Sequence, residues 1–178
     1  MTFDDQADVH RFAAEYRAAL APVGGLDLIP DRWLHLTMQG VGFVGEVPED
    51  TVDAIAEAAK LRLAVLPQFA VTLGTPVVDP EAILVPVQPA DSVRRLRDVI
   101  RAAIGDVLPE VPETASGFTP HVSVAYSNTT GPSTPFTEAI TNANIAPATA
   151  RVTNASLIRI NRDHQMYQWS TIAEIPLG

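Results

Sequence analysis

The sequence predicts an α+β protein: two pseudo-symmetric lobes of antiparallel sheet with flanking helices, set around a central cleft. Three observations predict it. Segments with helical periodicity alternate with short apolar, β-branched runs. The order helix, strand, helix, two-strand hairpin occurs once in each half of the chain. The strand of each half carries a matching tripeptide, His35-Leu36-Thr37 in the first and His121-Val122-Ser123 in the second. With 178 residues, 47% of them hydrophobic and 19% charged, the chain has the apolar content to bury a core. Residues 1–178 are expected to form one bilobal domain whose lobes do not separate.

The elements follow in order. Val9, Phe12, Ala13, Tyr16 and Leu20 recur at helical spacing across residues 4–21, and Pro22 with Gly24-Gly25 ends the pattern. Trp33 to Val41 reads as the first histidine strand. Pro48-Glu49-Asp50-Thr51 opens an alanine-rich helix to about Leu66, its acidic first turn complementing the helix dipole. Phe69 to Thr75 and Ala82 to Val87 read as a hairpin punctuated by Pro76 and Asp79-Pro80. Pro89-Ala90-Asp91-Ser92 opens a helix to about Ile104, and residues 105–117 read as loop. Phe118 to Tyr126 is the second histidine strand, followed by a polar loop and a short helix near 135–144. Ala150 to Ile160 and Tyr167 to Ile175 close the chain as two β runs about a turn at Asn161 to Gln165.

Charge narrows the function classes. The net charge is −9, and Lys60 is the only lysine. Binders of long duplex nucleic acid present a basic face, because phosphate neutralisation drives their affinity. The nearest basic cluster, Arg94, Arg95, Arg97 and Arg101, is interleaved with Asp91 and Asp98 and reads as a solvated helix face. A small phosphorylated partner fits this balance, and a local positive field still admits an RNA end. The absence of cysteine excludes disulfides, thiol catalysis and Cys-ligated metals. No run approaches membrane-spanning length, and the acidic start Met1-Thr2-Phe3-Asp4-Asp5 has no apolar signal core. A cytoplasmic, monomeric protein without membrane contact is expected.

The tripeptides carry the chemistry. Residues i and i+2 of a strand share a face, so each tripeptide sets an imidazole beside a hydroxyl. Imidazole exchanges protons near neutral pH. Two imidazoles across one phosphorus serve as base and acid in a single displacement, with Thr37 and Ser123 donating to the non-bridging oxygens. One His-x-Thr alone is weak evidence. Two of them, in corresponding strands and using two of the four histidines, are much stronger. His10, on the first helix, and His164, in the last turn, read as surface histidines. No His-Glu-x-x-His occurs, and neither strand histidine has an adjacent Asp to complete a ligand set, so no metal and no cofactor are expected.

The pair of motifs, 86 residues apart from His35 to His121, resembles the two-histidine phosphoesterases, which include the 2′-5′ RNA ligases and cyclic phosphodiesterases. His35-Leu36-Thr37-Met38-Gln39-Gly40-Val41-Gly42-Phe43 looks like the first strand of that group. Thr119-Pro120-His121-Val122-Ser123-Val124-Ala125-Tyr126 looks like its second, and Leu157 to Asp163 with Tyr167 like its closing hairpin. The resemblance implies a bilobal α+β fold, catalytic His35 and His121, and phosphate-binding Thr37 and Ser123. One departure bears on substrate. The bacterial ligase subgroup often carries arginine five residues after the second histidine, where this chain has Tyr126. That pattern looks more like enzymes opening small cyclic phosphates. With regular pleating Tyr126 faces away from His121, so a bulge is required to bring it to the cleft. Trp33, at i−2 from His35, and Tyr167 are further candidates for stacking on a substrate base.

The leading expectation is therefore a metal-independent phosphoesterase opening 2′,3′-cyclic or related cyclic phosphodiesters. Its partner would be a small cyclic nucleotide or an RNA terminus bearing a cyclic phosphate. The alternatives are joining of RNA ends through a 2′-5′ linkage, and a non-catalytic module that binds a phosphorylated ligand. Either histidine can be the base on this reading.

Overall fold

A computed structural model of the chain describes residues 1–163 and 165–178. It holds four α-helices: α1 (Ala7–Leu20), α2 (Glu49–Leu63), α3 (Ala90–Gly105) and α4 (Thr134–Ala143). Its strands are β1 (Leu26–Leu28), β2 (Phe69–Leu73), β3 (Val77–Val78), β4 (Ala82–Gln88), β5 (His121–Ser127), β6 (Ala148–Val152), β7 (Asn154–Asn161) and β8 (Gln168–Pro176). The α+β class read from the sequence is the observed one. No helix among the described residues is long and apolar enough to cross a membrane.

Local sequence accounts for the helices. In α1 the buried residues are Val9, Phe12, Ala13, Tyr16 and Leu20, the stripe that the periodicity marks. Prolines 48 and 89 stand just before α2 and α3, where a missing N–H and a fixed φ do no harm. The α3 face differs from its reading as solvated. Arg94 does pair with Asp91 at the surface, but Arg97 is only 5% exposed and Arg101 is half-buried. The cause is the 105–117 segment, which folds back over that side of α3 and offers its backbone carbonyls to both guanidinium groups.

The strand pairings interleave the two halves. One antiparallel sheet runs β1-β5-β4-β2-β6, with β3 also on β4. The second histidine strand, β5, thus lies beside β4 of the first half, and β2 beside β6 of the second. Conversely, the segment carrying His35 lies against the separate β7–β8 hairpin of the second half. Trp33 packs edge-on to Trp169 at 4.9 Å between ring centroids, and the Thr2 and Ser156 hydroxyls are hydrogen-bonded.

Three strand readings change. Trp33 to Val41 is not a regular strand: Asp31–Trp33 is a 3-10 turn, and His35 makes a single bridge, to Thr2. Leu36 exchanges backbone hydrogen bonds with Met1. The alternation nonetheless persists, with Leu34, Leu36 and Met38 buried while His35 and Thr37 face outward. What fails beyond Leu36 is the partner, because pairing requires a neighbouring edge and residues 37–41 have none among the described residues. The run Ala150 to Ile160 is split at Thr153, β6 joining the large sheet and β7 the hairpin. The third change is β1, a short strand beside β5 that the sequence pattern does not announce. It follows Gly25, whose φ of +72° and whose approach to Thr129 leave no room for a side chain.

Leu36 is 1% exposed and belongs to a hydrophobic cluster with Phe3, Val9, Val122 and Val124. Leu36→Ala should therefore cost about 2–5 kcal/mol, read as a lower urea midpoint at unchanged slope. An unchanged midpoint would show that this segment is not anchored by its buried face.

Candidate active site

Each motif histidine is held in the same way. His35 Nδ1 lies 3.0 Å from the Trp33 carbonyl oxygen, and His121 Nδ1 lies 2.9 Å from that of Thr119. Both acceptors are two residues before the ring. A carbonyl only accepts, so Nδ1 carries the hydrogen in each and Nε2 of the neutral ring keeps its lone pair. His35 has its pKa pushed down, first by burial. The Trp33 carbonyl opposes this, and the positive charge of the Met1 amine adds to it. The charge of His121 also reaches the His35 ring and disfavours a charge there.

This depression has a measurable consequence. A histidine whose pKa is lower folded than unfolded binds more protons when unfolded, so stability rises with pH. His35 thus contributes fully above its ordinary pKa of about 6.5, and the contribution is lost as pH falls through the folded value. Urea midpoints measured from pH 7 down to pH 5 should fall less steeply for His35→Gln than for wild type. Parallel curves would contradict the burial of a neutral ring.

The hydroxyls differ in setting. Thr37 is exposed, on the outward face shared with His35. Ser123 is half-buried on β5, between buried Val122 and Val124. The bulge that Tyr126 requires is present. Ile83 of β4 pairs with Ala125, while the next residue, Leu84, pairs with Ser123, leaving Val124 as the extra residue of β5. Beyond it Tyr126 turns to the face of Ser123, whose hydroxyl acts on the phenol. Burial first, and then Tyr167, push the Tyr126 pKa up to about 12 against the opposing influence of Arg162 and Ser123, so the phenol stays protonated.

Rings gather around His35. Tyr167 lies 6.2 Å and Trp169 5.0 Å from its ring centroid, and Tyr126 stands 5.7 Å from Tyr167. Trp33 reaches the group through Trp169, with the Arg32 guanidinium 5.0 Å from the Trp33 ring. The Arg162 guanidinium lies 5.5 Å from the Tyr126 ring and 5.3 Å from that of Tyr167. Trp33, Tyr126 and Tyr167 are thus drawn into one aromatic group. Sequence reasoning missed Trp169 and Arg162 as members of it. The signal for Trp169 is its i+2 spacing from Tyr167, which gives both rings access to His35. A depression of about 410 Å³, lined by Glu81, Ser127 to Thr130 and Arg162, adjoins the group, and neither imidazole lines it. The geometry of the two histidines, more than the size of that depression, marks the candidate centre.

The remaining histidines separate. His10 is half-buried rather than a surface residue, and its Nε2 is buried with no hydrogen-bond partner among the described residues, since α1 lies with one side on the core. His164 falls outside the described residues. Among the described residues no three His, Asp or Glu side chains gather as a metal site.

Comparisons with known proteins bear on the family and the fold. A family model described as the 2′-5′ RNA ligase superfamily matches residues 3–164. No curated protein matches in sequence. Among solved structures, TT0787 of Thermus thermophilus is 18% identical, covering 96% of this chain and 92% of its own, with a TM-score of 0.74. E. coli LigT in apo form is 17% identical over 96% of this chain and 91% of its own, with a TM-score of 0.67. Its complex with 3′-AMP gives 17%, 96% and 92%, with a TM-score of 0.69. At these identities the likeness to solved structures carries the fold alone.

Proposed function

Because the chain belongs to the 2′-5′ RNA ligase superfamily, we propose that it opens 2′,3′-cyclic or related cyclic phosphodiesters by acid–base catalysis between His35 and His121. The observation that carries this reading is the matched anchoring of the two rings on i−2 carbonyls, which leaves Nε2 of each available for proton transfer. A phosphate anion between the rings favours one shared proton, so one imidazole enters as base and the other as acid. The base takes a proton from water as water oxygen bonds to phosphorus. The acid gives its proton to the ribose oxygen as the ring P–O bond breaks, leaving a phosphomonoester. Thr37 and Ser123 donate to the non-bridging oxygens as their charge grows. Trp33, Tyr126 and Tyr167 form the wall against which a base or ribose rests, and Trp169 extends it.

A small phosphorylated substrate is supported by the net charge of −9 and by the complexes of E. coli LigT with 3′-AMP and with phosphate. The interleaved pairing of the halves supports residues 1–178 acting as one unit. Purified protein incubated with a 2′,3′-cyclic nucleotide and a metal chelator should release a phosphomonoester. Absence of product with active-site rings intact would overturn hydrolysis. The family description favours one further reading: the same centre run in reverse joins a cyclic phosphate end to a 5′-hydroxyl RNA end. Joined oligonucleotides, with binding that weakens steeply in salt, would establish that direction.

A further inference from the structure

We propose that Arg97 is a positioning residue that sets the spacing of the two histidine motifs, with Arg101 as its outer support. This rests on the phosphoesterase reading above. Arg97 is the one charged side chain buried among the described residues. Its Nε donates to the Met38 carbonyl at 2.8 Å, Nη1 to that of Ala115 at 2.8 Å, and Nη2 to that of Thr114 at 2.9 Å. The guanidinium also lies 4.7 Å from the Phe118 ring, while the exposed Glu113 carboxylate stands 4.0 Å away.

These contacts end beside both motifs. Met38 directly follows Thr37. Phe118 directly precedes Thr119, whose carbonyl orients His121. One turn along α3, Arg101 donates to Gln39 Oε1 and to the carbonyls of Pro112 and Glu113. Gln39 Nε2 in turn donates to the Pro112 carbonyl at 2.6 Å. Two arginines of one helix thus tie the chain just after the first motif to the segment leading into the second.

The choice of side chain is informative. Desolvating a cation is costly, and an apolar residue would fill the same space without that cost, so stability alone does not account for a charge here. A guanidinium is planar, permanently charged and offers donors in a fixed fork, which lets one side chain hold three carbonyls at set angles. An ammonium cannot span them. A reaction that needs two imidazoles across one phosphorus is sensitive to such spacing, since a displacement of about 1 Å costs roughly a hundredfold in rate.

The test is Arg97→Lys, with cooperative unfolding confirming the fold. Turnover per folded molecule should fall about a hundredfold with KM little changed. If Arg97→Lys does not fold, Arg101→Gln, at the half-exposed outer position, carries the test with a smaller loss. A merely structural role would lower the melting temperature and leave kcat, KM and the pH profile of folded protein unchanged. NMR titration of the His35 and His121 imidazoles needs no substrate and decides the matter. Curves displaced from wild type in the folded variant support the clamp, and superimposable curves overturn it. Lack of turnover in the wild type would sink the phosphoesterase reading and leave the titration to judge Arg97.

Discussion

Replacing either His35 or His121 by alanine should lower kcat for opening a 2′,3′-cyclic phosphate by about 10²–10⁴-fold. The two losses should be of similar size, because a displacement without its base and one without its acid are each left waiting on solvent. They should not add. Once one ring is gone the concerted step is lost, so the double variant should turn over nearly as fast as the worse single variant. His121 is exposed, so its removal leaves packing intact and the kinetic loss is free of a stability effect. His35 is half-buried against Trp169 and Tyr167, and there His35→Gln serves as the companion that fills the space without exchanging protons. Progress curves on a cyclic nucleotide check both. Wild-type turnover in either variant would remove that ring from the mechanism.

The second large effect concerns the hydroxyls. Thr37→Val and Ser123→Ala should each cost about 10²–10³-fold in kcat, with KM changed much less, because the bond strengthens as charge builds on the phosphoryl oxygens. Thr37→Val preserves shape at an exposed position, so the donor is the only thing lost. Ser123→Ala removes one hydroxyl from a half-buried position on β5, and the Tyr126 phenol, its pKa pushed up to about 12 chiefly by burial, stays protonated beside it. A rise in KM alone would place these hydroxyls in ground-state binding instead.

Much of this architecture is legible in the sequence, for identifiable reasons. Helical periodicity is local, so α1 can be read with its buried face residue by residue. The alternation at Leu34, Leu36 and Met38 is equally local, which is why the outward face of His35 and Thr37 is readable although no regular strand forms there. Pairing is not local. Nothing along the chain says that β5 lies beside β4 while the His35 segment lies beside β7–β8, nor that Thr153 divides two sheets. The Val124 bulge is a mismatch of register between two strands and exists only once both are placed, yet it decides which way Tyr126 faces. Arg97 misleads for the same reason. Interleaved with acidic residues it reads as solvated, and only the return of residues 112–118 over α3 makes it buried. Trp169 and Arg162 reach the site from across the fold, and spacing within the hairpin hints at the first alone.

The most direct measurement is a crystal structure with inorganic phosphate or vanadate bound. The account predicts one phosphorus centre with oxygens about 2.7–3.2 Å from Nε2 of both His35 and His121, and the hydroxyls of Thr37 and Ser123 donating to the same group. An anion held by one imidazole alone, or bound at Arg162 with both rings untouched, would contradict it.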